Sequence, residues 1–380
     1  MPRESATIRL RTAAAAVVVL LALGSTHVRA EGDHAEGRAF VTFDVLGAGT
    51  LAGQGTYPQS INDGGDVTGF WVDASDVQHG FIRDSDGSVA TFDVPDAGTG
   101  PSQGTLPLSI NARGAVAGLY IDPGFVQHAF IRDRKGVVTT WDVPGAGSAP
   151  GQGTVAVSMN SRGDVAGFFV DANSLSHAYL RDHGGDIGSF DAPGGVRGTS
   201  AETINAKGAT AGFYRDGNRA FHAFVRDKHQ KLIAFDAPGA GNGRSQGTFA
   251  NGINADGEVA GYFRDALGGQ HGFVREADGV TVAFDPPGAA RTAAGIINDR
   301  GDVEGNYYDA AFVTHGFVRD HAGNITTFDS AGAGTAPGQG TTPTSINNEG
   351  RVCGFFYDAA TIAHGFVRPE GRQDRDDRQD

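Results

Sequence analysis

The feature that most constrains this chain is a pattern repeated along its length with spacings that never change. It reads F-D-x-P-G-A-G, a Gln-Gly-Thr loop, S-I-N-x-x-G-x-V-x-G, an aromatic pair, Asp, and then H-[GA]-F-[IV]-R-D. The asparagine of I-N falls at Asn62, Asn111, Asn160, Asn205, Asn254, Asn298 and Asn347. A histidine follows 17 residues later each time, at His79, His128, His177, His222, His271, His315 and His364. The Asp of the next F/W-D pair lies 14 residues further on, at Asp93, Asp142, Asp191, Asp236, Asp285 and Asp329. All length variation sits in the Asp-to-Asn loop, which shortens before Asn205 and Asn298. Self-similarity of this kind means that each unit buries its apolar faces only against its neighbours.

Each unit reads as four short strands, called a to d. In the second copy they span 106–111, 115–122, 127–133 and 137–143, rich in Val, Ile, Phe and Tyr and bounded by Gly, Pro, Asn and Asp. Asn-x-x-Gly between a and b suits a type I turn followed by a left-handed glycine. No apolar 3.6-residue periodicity extends beyond the N-terminal segment. Four antiparallel strands per unit fit a propeller blade, whose two faces are both covered by neighbouring blades. The chain ends suggest closure. A lone d strand, 39–45, opens the array and a lone c strand, 364–368, finishes it. Pairing the two would complete every blade and leave no edge, whereas an open solenoid would need distinct capping repeats. The expected fold is all-β: a seven-bladed β-propeller of four-stranded antiparallel blades over 38–368, closed by the N-terminal strand on the last blade.

The first 30 residues form a separate object. Arg3, Arg9 and Arg11 precede an apolar run, 13–23, and Val28-Arg29-Ala30 offers small residues for cleavage. This is the pattern of a secretory signal, too short to span a bilayer. Cleavage near Ala30 predicts a secreted protein, extracellular or periplasmic, without membrane insertion. Residues 31–37 form a short N-terminal segment, and the charged tail 369–380 is expected to be disordered. Removing 1–30 takes away four Arg and one Glu, so 30 basic against 44 acidic residues become 26 against 43, net about −17. Such a balance disfavours nucleic-acid binding. Cys353 is the one cysteine, so no intrachain disulfide forms and stability must come from the core.

The H-[GA]-F triplets with I-N-x-x-G-x-V-x-G resemble the bacterial extracellular repeats of the HAF family. His128-Ala129-Phe130 and His222-Ala223-Phe224 match the triplet, His79-Gly80-Phe81 carries Gly, and His177-Ala178-Tyr179 carries Tyr. The resemblance covers roughly residues 38–371. It implies export and a repeat scaffold, and it brings no catalytic residues.

Most of the reactive side chains read as architecture. Equivalent histidines in adjacent blades sit too far apart to share an ion, since packed sheets lie about 10 Å apart and zinc needs nitrogen at about 2.1 Å. Each is expected to hydrogen-bond loop backbone instead. The Asp of F-D and the Asn of I-N read as turn-formers. The arginines of strand c (Arg83, Arg132, Arg181, Arg226, Arg275, Arg319, Arg368) are expected to pair with carboxylates. Gly145-Ala146-Gly147 and Gly151-Gln152-Gly153 lack the Lys-Ser/Thr of a phosphate loop. Asp84-Ser85-Asp86-Gly87 lacks the glutamate of a calcium loop. Cys353 replaces a small strand-b residue, and no Ser-His-Asp or Cys-His set emerges. Neither metal, cofactor nor catalytic residue is expected.

One feature breaks the symmetry. Strand direction places the d–a and b–c loops on one rim. There, Lys and Arg occur only in the sector of Arg197, Arg215, Arg219, Arg244, Arg264 and Arg291, which includes both shortened loops. Arg engages carboxylates in a planar fork. The expected partner is an acidic polysaccharide or an acidic protein surface, set against local pairing with Asp216, Asp265 or Glu202. Three roles follow in order: a binding or interaction scaffold, an extracellular polysaccharide lyase or hydrolase with its carboxylates near Glu202, and a purely structural surface protein.

Overall fold

The computed structural model describes residues 40–370. Residues 1–30, with their signal-like pattern, the segment 31–37 and tail residues 371–380 lie outside the described residues. In the Asn111 repeat the strands are Gly104–Ile110, Val116–Ile121, Gln127–Arg132 and Val138–Trp141, joined antiparallel in chain order. The 28 strands among the described residues fall into repeated blades of this kind, with no helix among them. The fold is all-β, as the repeat requires. The first strand, Val41–Phe43, lies antiparallel to the last, Ala363–Arg368, through Val41↔Val367, Thr42↔Phe366 and Phe43↔Gly365.

The conserved-looking letters of the repeat each have a physical task. Asn111 Oδ1 accepts the N–H groups of Arg113 and Ala115, and Gly114 completes the turn at φ 75°, a left-handed conformation glycine adopts without Cβ strain. The side-chain amide then reaches outward. Asn62 Nδ2 donates to the Asn111 carbonyl, Asn111 to Asn160, Asn160 to Asn205, Asn205 to Asn254, Asn254 to Asn298, Asn298 to Asn347, and Asn347 to Asn62, at 2.8–3.3 Å. A residue read as a local turn-former thus also links each repeat to the next.

The aromatic of H-[GA]-F is the centre of the packing. Phe81, Phe130, Tyr179, Phe224, Phe273, Phe317 and Phe366 are all fully buried, each contributing about 1.5–3 kcal/mol of apolar transfer. The histidine before it departs from expectation. Its Nδ1 lies 2.7–3.1 Å from the Asp that ends strand d, not on loop backbone. The invariant 14-residue spacing is this contact across the c–d hairpin. His364 makes it to Asp44, just after the first strand. Nε2 stands 3.6–3.7 Å from the Asp after strand b. The carboxylate bond outlasts the backbone alternative because a charged acceptor makes the stronger hydrogen bond.

The strand-c arginines also differ from expectation. They lie over aromatic rings: Arg83 over Phe43, Arg132 over Phe92, Arg181 over Trp141, Arg226 over Phe190, Arg275 over Phe235, Arg319 over Phe284 and Arg368 over Phe328, at 4.4–5.2 Å. Each ring comes from the preceding d strand, so the guanidinium stitches neighbouring blades through cation–π attraction. A weakly hydrated planar cation tolerates this half-buried seat better than a carboxylate partner would.

Where the Gln-Gly-Thr loop is present, its glycine meets the preceding c strand in a one-residue parallel bridge, as in Gln78↔Gly104 and Gly55↔Ala363. Gly104 sits at φ 123°, and a Cβ there would fall 1.9 Å from the Gln78 carbonyl oxygen. Gly104→Ala is therefore expected to cost about 2–4 kcal/mol, read as a lowered denaturation midpoint with unchanged m. The shortened loops before Asn205 and Asn298 lack this Gln and this bridge. Strand hydrogen bonding consequently divides into a 20-stranded and an 8-stranded sheet, the latter holding the Asn205 and Asn254 repeats. At the C-terminal end, Glu370 accepts from Arg300 at 3.0 Å.

Candidate functional site on the channel wall

The a strands line a central cavity of about 660 Å³. Each a strand bulges three residues before its Asn. The bulged residue is Gln59, Leu108, Val157, Asn251 or Thr344 in five repeats, Glu202 in the Asn205 repeat and Gly295 in the Asn298 repeat. The bulge re-aims one side chain and adds local twist. The departures from symmetry concentrate where these last two repeats flank the Asn254 repeat.

An aromatic wall occupies that sector. Phe221 stands where other repeats carry Gln, Ser, Thr or Ala before the His. Its ring centroid lies 4.4 Å from Phe249, which stacks on Tyr262 at 4.7 Å, while Phe213 meets Phe249 at 5.2 Å. All four rings border the cavity.

The six rim arginines are arranged around this wall. Arg215 lies over Phe221 at 4.7 Å, and Arg264 over Phe249 at 5.6 Å. Arg219 and Arg244 meet at one backbone junction, where Ser245 N–H donates to the Arg219 carbonyl at 3.0 Å and Arg264 Nη1 reaches the Ser245 carbonyl at 3.5 Å. Arg264 Nε donates to Gln270 Oε1, and Gln270 Nε2 donates to the Thr292 carbonyl beside Arg291. Arg197 is tied by its backbone to Arg215. Arg197, Arg219, Arg244 and Arg291 are exposed; Arg215 and Arg264 are half-buried.

Local pairing with Asp216, Asp265 or Glu202 does not account for five of them. Asp216 and Asp265 are engaged by His222 and His271 and by loop N–H groups, and Glu202 accepts from Ser200. Among the described residues no carboxylate lies within 4.0 Å of Arg197, Arg219, Arg244, Arg264 or Arg291.

Two carboxyls face the same cavity, one of which the sequence reading missed. Glu202 is buried, with Ser200 Oγ donating to it; burial lifts its pKa to about 7 against that hydrogen bond. Glu304 is 1% exposed. Burial raises it also to about 7, although Ile296 N–H donates to its Oε1 at 2.8 Å. Its Oε2 has no partner among the described residues. In the other repeats this position holds Thr68, Ala117, Ala166, Ala211, Ala260 and Cys353. V-E-G in place of V-A-G was the signal, hidden because a single charged letter in strand b looks like surface variation. Cys353 is buried as expected, its thiol pushed up to about 12 by desolvation.

No protein-family model matches the chain, and no curated protein does. Solved structures do. A streptogramin B lyase aligns with a TM-score of 0.54 at 15% identity, over 87% of this chain and 97% of the other. The BP39L lectin from Burkholderia pseudomallei aligns at 0.54 and 10%, over 82% and 94%. A puromycin hydrolase gives 0.54 and 12%, over 83% and 54%. At these identities the likeness defines the fold alone. The chain belongs to the β-propeller class.

Proposed function

We propose that this protein is an exported binding module of the HAF type, a closed seven-bladed propeller that holds an acidic ligand at the arginine sector of one rim. The ring is supported by the antiparallel seat of Val41–Phe43 on Ala363–Arg368 and by the Asn347-to-Asn62 hydrogen bond. Export rests on the signal-like pattern of 1–30. The ligand reading is carried by one observation: five rim guanidiniums without a carboxylate neighbour, on a chain of net charge −14. Like charges held together on a rim invite an anionic partner, and the planar fork favours carboxylates. A uronate-bearing polysaccharide meets the aromatic wall as well, since sugar rings stack on it. An acidic protein surface meets only the rim.

The test is a glycan screen by calorimetry at low salt, with Arg197→Ala, Arg244→Ala and Arg291→Ala combined. These side chains are exposed, so folding should be unaffected. Acidic glycans should bind the parent and lose about tenfold or more in the triple variant, and binding should weaken with salt. Unchanged affinity in the variant would discard the sector.

A second reading, a polysaccharide lyase or hydrolase, is favoured by Glu202 and Glu304, both near 7, the range suited to proton transfer at neutral pH. Incubation with polygalacturonate, alginate and hyaluronate should then release oligosaccharides, and their absence would remove this reading.

A further inference from the structure

Next to the aromatic wall, the Asn298 repeat has been hollowed. Ala293 stands where neighbouring repeats carry Phe249 and Thr342, and Asn306 where they carry Tyr262 and Phe355. Gly295 clears the bulge; a Cβ there would clash with Glu304 Oε1, so only glycine leaves room for the carboxyl. The pairing skips two residues, Gly295 and Ile296, where the other repeats skip one. Three side chains are thus pared back around a buried carboxyl whose Oε2 has no partner among the described residues. An unpaired polar atom at that depth costs about 1–3 kcal/mol, and six repeats show that Thr, Ala or Cys fills the position without it.

We propose that this hollow is a second subsite, taking a hydroxyl-bearing sugar ring that hydrogen-bonds Glu304 and Asn306 and packs against Tyr262. It deepens the acidic-ligand reading and rests on it for the ligand class, a sugar chain. A pyranose presents paired donors and acceptors around an apolar ring face. A carboxylic acid and an amide on a mostly apolar wall match that combination. The position along the strand fits as well. Arg291 pairs with Tyr308, four residues from Glu304, so the hollow lies about 13 Å below the arginine rim at strand spacing. A chain anchored by a carboxylate at the rim would place a later ring in the hollow.

The probes are trigalacturonate and its fully methyl-esterified form, which keeps the hydroxyls and removes the charge. Titration calorimetry on the full protein should show the parent binding both, the acid more tightly. Glu304→Ala should weaken both by about tenfold, the value of one or two hydrogen bonds. Glu304→Gln, neutral with donor and acceptor, should stay within about threefold of the parent. The rim triple variant should weaken only the acid. If Glu304→Ala binds both probes like the parent, or the parent binds neither, the subsite falls. If Glu304→Gln loses binding as Glu304→Ala does, the neutral hydrogen-bonding role assigned to Glu304 is wrong and the subsite as drawn falls. If the ester binds through Glu304 but the acid gains nothing from the arginines, the rim reading fails and the subsite stands. Six repeats already carry a small residue at this position, so Glu304→Ala should fold.

Discussion

Removing residues 1–45 is expected to do more damage than any single substitution, lowering stability by about 5–10 kcal/mol and turning the protein into an associating species. The loss follows from what the first strand contributes. Val45 is buried, Phe43 packs edge-on against Phe81 at 5.9 Å, and Arg83 lies over the Phe43 ring at 5.0 Å. Asp44 holds His364 at 3.0 Å. Buried Val45 at about 1.5–3 kcal/mol, half-buried Phe43 at about half that and the exposed Asp44–His364 hydrogen bond at about 0.2–1 give roughly 2.5–5.5 kcal/mol. The rest comes from Ala363–Arg368, which would be left with unpaired N–H and C=O groups along one side. Light scattering should show oligomers from the truncated protein, and adding back a peptide spanning residues 38–46 should restore the monomer. A truncated protein that stays monomeric with an unchanged denaturation midpoint would show that the N-terminal strand does not close the ring.

The repeat made the fold legible for a reason visible in particular residues. Asn62 to His79 and His79 to Asp93 are fixed spacings because the first crosses two hairpins and the second ends in a hydrogen bond. Neither tolerates an insertion. The strand boundaries also followed from Val, Ile and aromatic runs between turn residues, shifting by one or two positions, as in Gly104–Ile110 against 106–111. What the sequence concealed was partner choice. Spacing cannot distinguish a His bonded to backbone from one bonded to Asp93, or an Arg beside a carboxylate from one above Phe43, because both place the residue at the same point of strand c. The rim arginines were visible as departures from the repeat, since charge is scarce there. Glu304 was not, because burial is a property of the neighbouring a strand. Only with Gly295 and Ala293 known to flank it does a lone Glu become a buried one.

That burial sets the sign of a pH effect. Glu304→Gln should match the parent in thermal stability at pH 4 and exceed it by about 4 °C at pH 8. The group's ordinary carboxyl value is 4.5 and the folded protein holds it at about 7. Below 4.5 the acid is protonated folded or unfolded, and the fold bears no charge there. As pH climbs toward 7 the unfolded chain ionises while the folded one resists, so stability drains away and is fully lost above the folded value. The shift corresponds to about 3 kcal/mol. Spread over the unfolding entropy of a domain this size, it gives the few degrees expected. The glutamine keeps the shape and the Ile296 hydrogen bond while removing the titration, and every other group cancels in the difference between the two proteins. Scanning calorimetry of both from pH 4 to pH 8 reads it directly, and parallel curves would place Glu304 in contact with water. Six repeats manage without a carboxyl at this position. Retaining it costs about 3 kcal/mol near neutral pH, a cost that hydrogen bonds from a ring in the proposed subsite would offset.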